Sequence, residues 1–281
     1  MAGASGTVPR TLARISRSDT AQLLKPRAAP RPAAERTVTT PKRVDHVEVP
    51  TGGTDGKAFV AKAFADISAR VARGEKVRVV FDIDDTLADT RARTLKIAKA
   101  WDQANGTKYF DRLTVAQVAH TGLGTARALG LPWAAEKAFA EHWETAFWDG
   151  ANFVHDAPIP DIVALAKQAK ELGADVVYLT GRVQDRETYT IAQLKRFGLE
   201  ASHKSVVSKP NLKTRTVPFK AEWLAKSVAD GKPVAFFFTE SRRDIAGIQA
   251  AAVDAPSVLL DSPFGGTEGV KADTPIYPRA V

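Results

Sequence analysis

The chain of 281 residues contains no cysteine. This absence excludes disulfides, zinc sites built on thiolates and a thiol nucleophile. No stretch approaches the roughly 18 consecutive apolar residues that a membrane-spanning helix needs, and no apolar segment of signal-peptide type precedes the body of the chain. Internal repeats are absent. Beyond the first 43 residues there is also no excess of either charge. Residues 1–43 hold nine Lys/Arg against two acids, whereas the remaining 238 hold 31 basic and 30 acidic side chains. The formal charge of +8 therefore belongs to a leader, and the near-neutral remainder does not imply a nucleic-acid-binding core.

What is present is ordinary globular material, 44% hydrophobic and 26% charged, long enough for one large or two modest domains. Residues 1–50, rich in Ala, Pro, Arg, Ser and Thr, read as a mostly disordered basic leader. A short helix within Thr11–Lys25 fits its few apolar residues. The Arg/Ser-rich, acid-poor character has something of a transit peptide, but a solvated leader on a cytoplasmic protein is the plainer expectation.

From Lys57 the pattern changes. Phe59, Val60, Phe64, Ile67 and Val71 recur at helical spacing, and Gly74 supplies a stop. Val77–Ile83 then reads as a buried strand, as do Val176–Leu179, Val234–Phe238 and Ser257–Leu260. Helical patterns lie near 160–173, 185–197, 218–229 and 243–252. This alternation predicts an α/β fold, a Rossmann-like parallel sheet with helices on both faces. Residues 51–88 and 158–281 would form it. The stretch 89–157 is too long for one crossover helix and reads as a helical insert. Phe139, Trp143 and Phe147 make an aromatic stripe within it, expected as the insert's own core, with some edges facing a pocket.

Chemistry-bearing residues gather at predicted strand ends, where open α/β sheets bind ligands. Asp82, Asp84 and Asp85 follow the first strand. Its period of two directs Asp82 and Asp84 toward one cavity. Crowded acids with no Lys or Arg close by in sequence point to a divalent cation. The plainer alternative is an acidic turn that caps the next helix, and Asp85 fits that role. Thr180-Gly181-Arg182 end another strand, as a turn whose hydroxyl and N–H groups could hold a phosphate oxygen. Arg182 could equally pair with Asp185 or Glu187. Glu240 and Asp244 follow a third strand. Arg242-Arg243 read as a surface feature of a helix start, and the five dispersed histidines carry no motif.

Taken in order, these motifs resemble the haloacid dehalogenase (HAD) superfamily over roughly residues 75–262. Asp82, Asp84 and Thr86 match its first motif and Thr180 its second. Lys220 is the choice for its lysine, with Lys209 and Lys213 as rivals. The fourth motif departs from the pattern. Thr239 stands at the usual glycine and Glu240 at the usual first aspartate, with Asp244 as the second. The resemblance implies a phosphatase in which Asp82 attacks phosphorus and Asp84 is general acid, then base. It implies Mg²⁺ held by Asp82, the Asp84 carbonyl, Glu240 and Asp244, and phosphoryl oxygens held by Thr180, Gly181 and Lys220. Thr86 would order the loop, with Arg182 in support. The insert 89–157 would be a C1-type cap, favouring a small phosphorylated substrate. Competing expectations are a nucleic-acid end-processing phosphatase that uses the basic leader, and a HAD-like binding module without turnover.

Overall fold

The computed structural model describes residues 55–264 and 267–279. The leader and the short helix expected within Thr11–Lys25 lie outside the described residues. Helix α1 (Gly56–Ala72) opens on Asp55, whose carboxylate accepts the N–H groups of Lys57 and Ala58, a conventional N-cap. It leads into strand β1 (Arg78–Phe81) and the short strand β2 (Ala88–Asp89). Three helices follow: α2 (Arg91–Asn105), α3 (Gly122–Ala128) and α4 (Trp133–Phe147). Strand β3 (Ala157–Pro158) returns to pair antiparallel with β2. The remainder alternates: α5 (Pro160–Glu171), β4 (Asp175–Val183), α6 (Glu187–Arg196), β5 (Val206–Lys209), α7 (Thr216–Ala229), β6 (Val234–Thr239), α8 (Arg242–Ala250), β7 (Ser257–Leu260) and β8 (Ile276–Tyr277).

The six-stranded sheet has the order β5-β4-β1-β6-β7-β8, and every pairing is parallel. Strand periodicity separates two cores. Val79, Phe81, Val176, Tyr178, Phe236 and Phe238 pack on one face with Phe64 and Ile67 of α1, Ile162 of α5 and Leu194 of α6. Val80, Val177, Leu179 and Phe237 pack on the other with Leu224 of α7 and Ile248 of α8. Burial on both faces explains why these strands read as unbroken apolar runs. The expected α/β architecture with helices on both faces is the one observed.

Residues 91–155 build a third apolar cluster of their own, with Ile97, Trp101, Phe110, Phe139 and Phe147 at its centre. The rings of Phe110 and Phe139 lie 4.4 Å apart, and Trp101 meets Phe139 edge-on at 5.7 Å. Gly122 lets α3 approach α4, since a Cβ there would fall 2.3 Å from Cγ of Trp143. Among the described residues no helix is long and apolar enough to cross a membrane.

Two local expectations need correction. Thr180-Gly181-Arg182 is not a turn: β4 continues through it to Val183, with a register irregularity against β5 between Thr180 and Val183. Gly181 makes room for α7, because a Cβ would lie 2.9 Å from Cγ2 of Thr216. Strands β2, β3, β5 and β8 were not anticipated. They are two to four residues long, too short for a periodic signal.

Phe237 is fully buried between α7, α8 and the sheet. Phe237→Ala should cost about 3–5 kcal/mol, seen as a lower denaturant midpoint at unchanged slope.

Candidate active site

The ends of β1, β4 and β6 converge where the chemistry was expected. Asp82 leaves β1 with its N–H donated to the carbonyl of Phe238 at 2.9 Å. Its Oδ1 accepts the Ile83 N–H at 2.8 Å, and its Oδ2 accepts the Thr239 hydroxyl at 3.0 Å. Lys220, 2% exposed on α7, brings its Nζ to 2.8 Å from Asp82 Oδ2 and 2.6 Å from Asp244 Oδ2. The rivals stand apart from this contact. Lys209 donates to Thr216 at a long 3.4 Å, and Lys213 is exposed in a turn beside Asn211. Thr86 accepts the Glu240 N–H at 3.0 Å, which ties the first acidic loop to the third.

Asp84 shows what the sequence did not disclose. The acidic stretch has no Lys or Arg within it, yet two fully buried arginines reach Asp84 from other elements. Arg93 of α2 donates to Asp84 Oδ1 at 2.8 Å. Arg182 of β4 donates to Oδ1 at 2.8 Å and Oδ2 at 3.0 Å. Arg182 therefore engages Asp84, not Asp185 or Glu187, because β4 lies beside β1 and directs this side chain across the strand ends. Asp156 pairs with Arg93, and Gln193 accepts from Arg182 at 2.7 Å. The Phe153 ring lies 3.8 Å from the Arg182 guanidinium carbon and 4.7 Å from that of Arg93, within cation–π range.

These surroundings split the carboxylates electrostatically. Burial would raise the Asp84 pKa, but the charges of Arg182 and Arg93 outweigh it and hold the group well below the usual carboxylate range. Burial raises Asp82 against the opposing pull of Lys220. Glu240 is pushed well up by burial, then by Asp85, Asp82 and Asp244. For Lys220 burial acts downward, yet Asp244 and Asp82 prevail and keep it firmly protonated.

Thr180 is fully buried and its hydroxyl accepts the Arg182 N–H at 3.1 Å, while Gly181 reaches the cavity wall. Asp85 does cap the following segment, accepting the Thr90 N–H at 3.1 Å and hydroxyl at 2.7 Å. It also sits in left-handed backbone, φ 55°, and meets Glu240 and His120. No motif marked His120, which arrives from the loop before α3. A cavity of about 790 Å³ covers these groups. Asp82, Asp84, Lys220, Glu240 and Asp244 contribute to its walls, as do Trp143, Phe147 and Trp148 of the insert. Arg243 also lines the cavity, unlike the surface role expected of it, whereas Arg242 faces Glu268 at 3.5 Å.

The raised acids give a signed pH dependence. Burial, and after it the Asp84 and Asp89 charges, against the Thr90 hydrogen bonds, push the Asp85 pKa up to about 7, compared with about 4 in an unfolded chain. Between these values the folded state holds more protons, so stability falls as pH rises. Thermal melts in chelator should show Tm decreasing from pH 5 to pH 8, with a flatter profile for Asp85→Asn. A Tm that climbs over this window would contradict the assignment.

Several solved structures are similar to the chain. A phosphatase candidate from Clostridium difficile superposes with a TM-score of 0.53 over 74% of this chain and 95% of its own, at 14% identity. A haloacid dehalogenase-like hydrolase from Streptococcus pneumoniae gives 0.48 over 73% and 94%, at 10% identity. The class C acid phosphatase from Bacillus anthracis gives 0.40 over 80% and 78%, at 15% identity. No curated protein matches the chain. Residues 132–277, more than half of the sequence, match the family of HAD subfamily IIIB acid phosphatases. That match includes Thr180, Lys220, Glu240 and Asp244 and begins after Asp82 and Asp84. The chain belongs to the HAD superfamily, subfamily IIIB, and is a phosphoric monoester hydrolase.

Proposed function

We propose that this hydrolase is a Mg²⁺-dependent phosphatase that cleaves a small phosphomonoester through a phosphorylated Asp82. The observation that carries the proposal is the setting of Asp82: a strand-end carboxylate on the cavity wall, held by an N–H, a hydroxyl and an ammonium. Such restraint fixes a nucleophile for in-line attack. Its Asp82 carboxylate oxygen would bond to phosphorus as the ester oxygen leaves. Lys220, already protonated between Asp82 and Asp244, would offset charge on the phosphoryl oxygens, and the Gly181 backbone lies at the same wall.

The donor set suits a divalent cation. Glu240 is 9% exposed, and its carboxylate makes no hydrogen bond or ion pair among the described residues, although Asp82 and Asp244 are close enough to raise its pKa. Asp82 and Glu240 would hold Mg²⁺, with Asp244 in support and Asp84 contributing its main-chain carbonyl. When bound, the ion supplies the positive charge that lets an anionic nucleophile meet an anionic phosphate.

Asp84 is given a narrower role than the sequence implies. Paired with Arg93 and Arg182 it is ionised, which suits the second half of the cycle, where it takes a proton from the water that attacks phosphorus. Donation to the leaving oxygen requires that pairing to loosen first. The insert 89–157, with Trp143, Phe147 and Trp148 over the carboxylates, serves as the cap and restricts the substrate to a small one.

With p-nitrophenyl phosphate as substrate, Asp82→Asn should lower kcat by at least about 10³-fold, in line with loss of a nucleophile, and chelator should abolish turnover until Mg²⁺ is restored. Activity of Asp82→Asn near that of the unaltered protein would overturn the mechanism. Asp84→Asn should slow the second step more than the first, because p-nitrophenolate leaves without a proton. Phosphorylated protein should then accumulate after acid quenching, and none would accumulate if Asp84 acted only as an acid.

A further inference from the structure

One cluster that shares Glu240 with the phosphatase machinery has the make-up of a different metal site. A carboxylate oxygen of Asp85, a ring nitrogen of His120 and a carboxylate oxygen of Glu240 all lie within 4.8 Å of one another. His120 Nδ1 is 3.6 Å from Asp85 Oδ2. Three donors on one tetrahedral ion, at metal bonds of about 2.0–2.2 Å, stand about 3.3–3.6 Å from each other, so side-chain movements of about 1 Å close the set. All three residues line the cavity.

A second observation points to a ligand. Glu240 is nine-tenths buried, and its carboxylate has no hydrogen-bond or ion-pair partner among the described residues. Asp85 and His120 are, by contrast, oriented. Thr90 holds Asp85 Oδ1, leaving Oδ2 toward the imidazole, and the His120 ring packs on Phe264 with centroids 5.3 Å apart.

We propose that Asp85, His120 and Glu240 hold a first-row transition-metal dication, with Zn²⁺ as the type. One imidazole and two carboxylates make the three-ligand set of an open zinc site, leaving a position free toward the cavity. Mg²⁺ prefers oxygen donors and near-octahedral geometry and has no use for the imidazole. The site also gives a physical reason for glutamate at position 240. Its extra methylene carries the carboxylate about 1.5 Å further from the backbone, and an aspartate would fall short of the imidazole. His120 comes from the helical insert while Asp85 and Glu240 come from the ends of sheet strands, so the ion would fasten one to the other. Glu240 is shared with the Mg²⁺ set proposed above, so the two ions would compete for it, and His120 and Asp85 are what set the further site apart.

The test uses the full chain, stripped with chelator and dialysed. Zn²⁺ and Mg²⁺ binding are measured by calorimetry on the unaltered protein and on His120→Ala, and Co²⁺ serves as a spectroscopic probe. The His120 side chain is 55% exposed, so the substitution should leave the fold intact, which circular dichroism checks. The expected result is a loss of at least about tenfold in Zn²⁺ affinity, the scale on which even residues behind a metal's ligands act. The visible Co²⁺ bands should change and Mg²⁺ affinity should not. Equal Zn²⁺ binding by both proteins would overturn the proposal, as would parallel losses of Zn²⁺ and Mg²⁺. Asp82→Asn separates the two claims, because it removes the proposed nucleophile and should retain the His120-dependent Zn²⁺ site.

Discussion

The structure depends on one ammonium buried among carboxylates. Lys220 touches both Asp82 and Asp244, while Asp85 and Glu240 are buried nearby with no lysine or arginine paired to them among the described residues. Taking charges out of water costs several kcal/mol each unless geometry and counter-charge repay it. One lysine cannot neutralise four acids, and burial, with neighbouring acids after it, raises the pKa values of Asp82, Asp85 and Glu240. A site with this imbalance is suited to recruit positive charge. Much of its chemistry follows from that requirement.

Asp84 represents the opposite solution. Two buried arginines give it more positive charge than it needs, and Asp156 takes up the surplus. The same network joins distant parts of the chain: Arg93 from α2, Asp156 from the segment before β3, Arg182 from β4 and Gln193 from α6. The insert is thereby fastened to the sheet by ionic contacts beside Asp84. Removing one member would leave a buried charge uncompensated, a much larger cost than loss of an exposed pair. Position of the helical insert and ionisation of Asp84 are thus one electrostatic property.

Much of this was legible in the sequence. The acids stand directly after apolar runs, so Asp82, Glu240 and Asp244, and Thr86 with them, are placed at strand ends by the sequence pattern. Lys220 could be preferred to Lys209 and Lys213, and burial at the acids distinguishes it from them. Less legible were contacts made by residues whose own neighbourhood is ordinary. Arg93 lies in a polar helix, and only the helix's path over the strand ends buries it. His120 belongs to a loop with no periodicity. Thr180-Gly181-Arg182 has the composition of a turn, yet pairing with β5 draws the strand onward. In each case the decisive partner is remote in the chain, and local pattern does not encode it.

The most direct test of the central claim is to locate the phosphoryl group during turnover. Protein mixed with a phosphomonoester and Mg²⁺, quenched in acid within the first turnovers and examined by peptide mass spectrometry, should carry one phosphoryl group, on Asp82. A phosphoryl group on another residue, or active protein that carries none under conditions that trap acyl phosphates, would contradict the account.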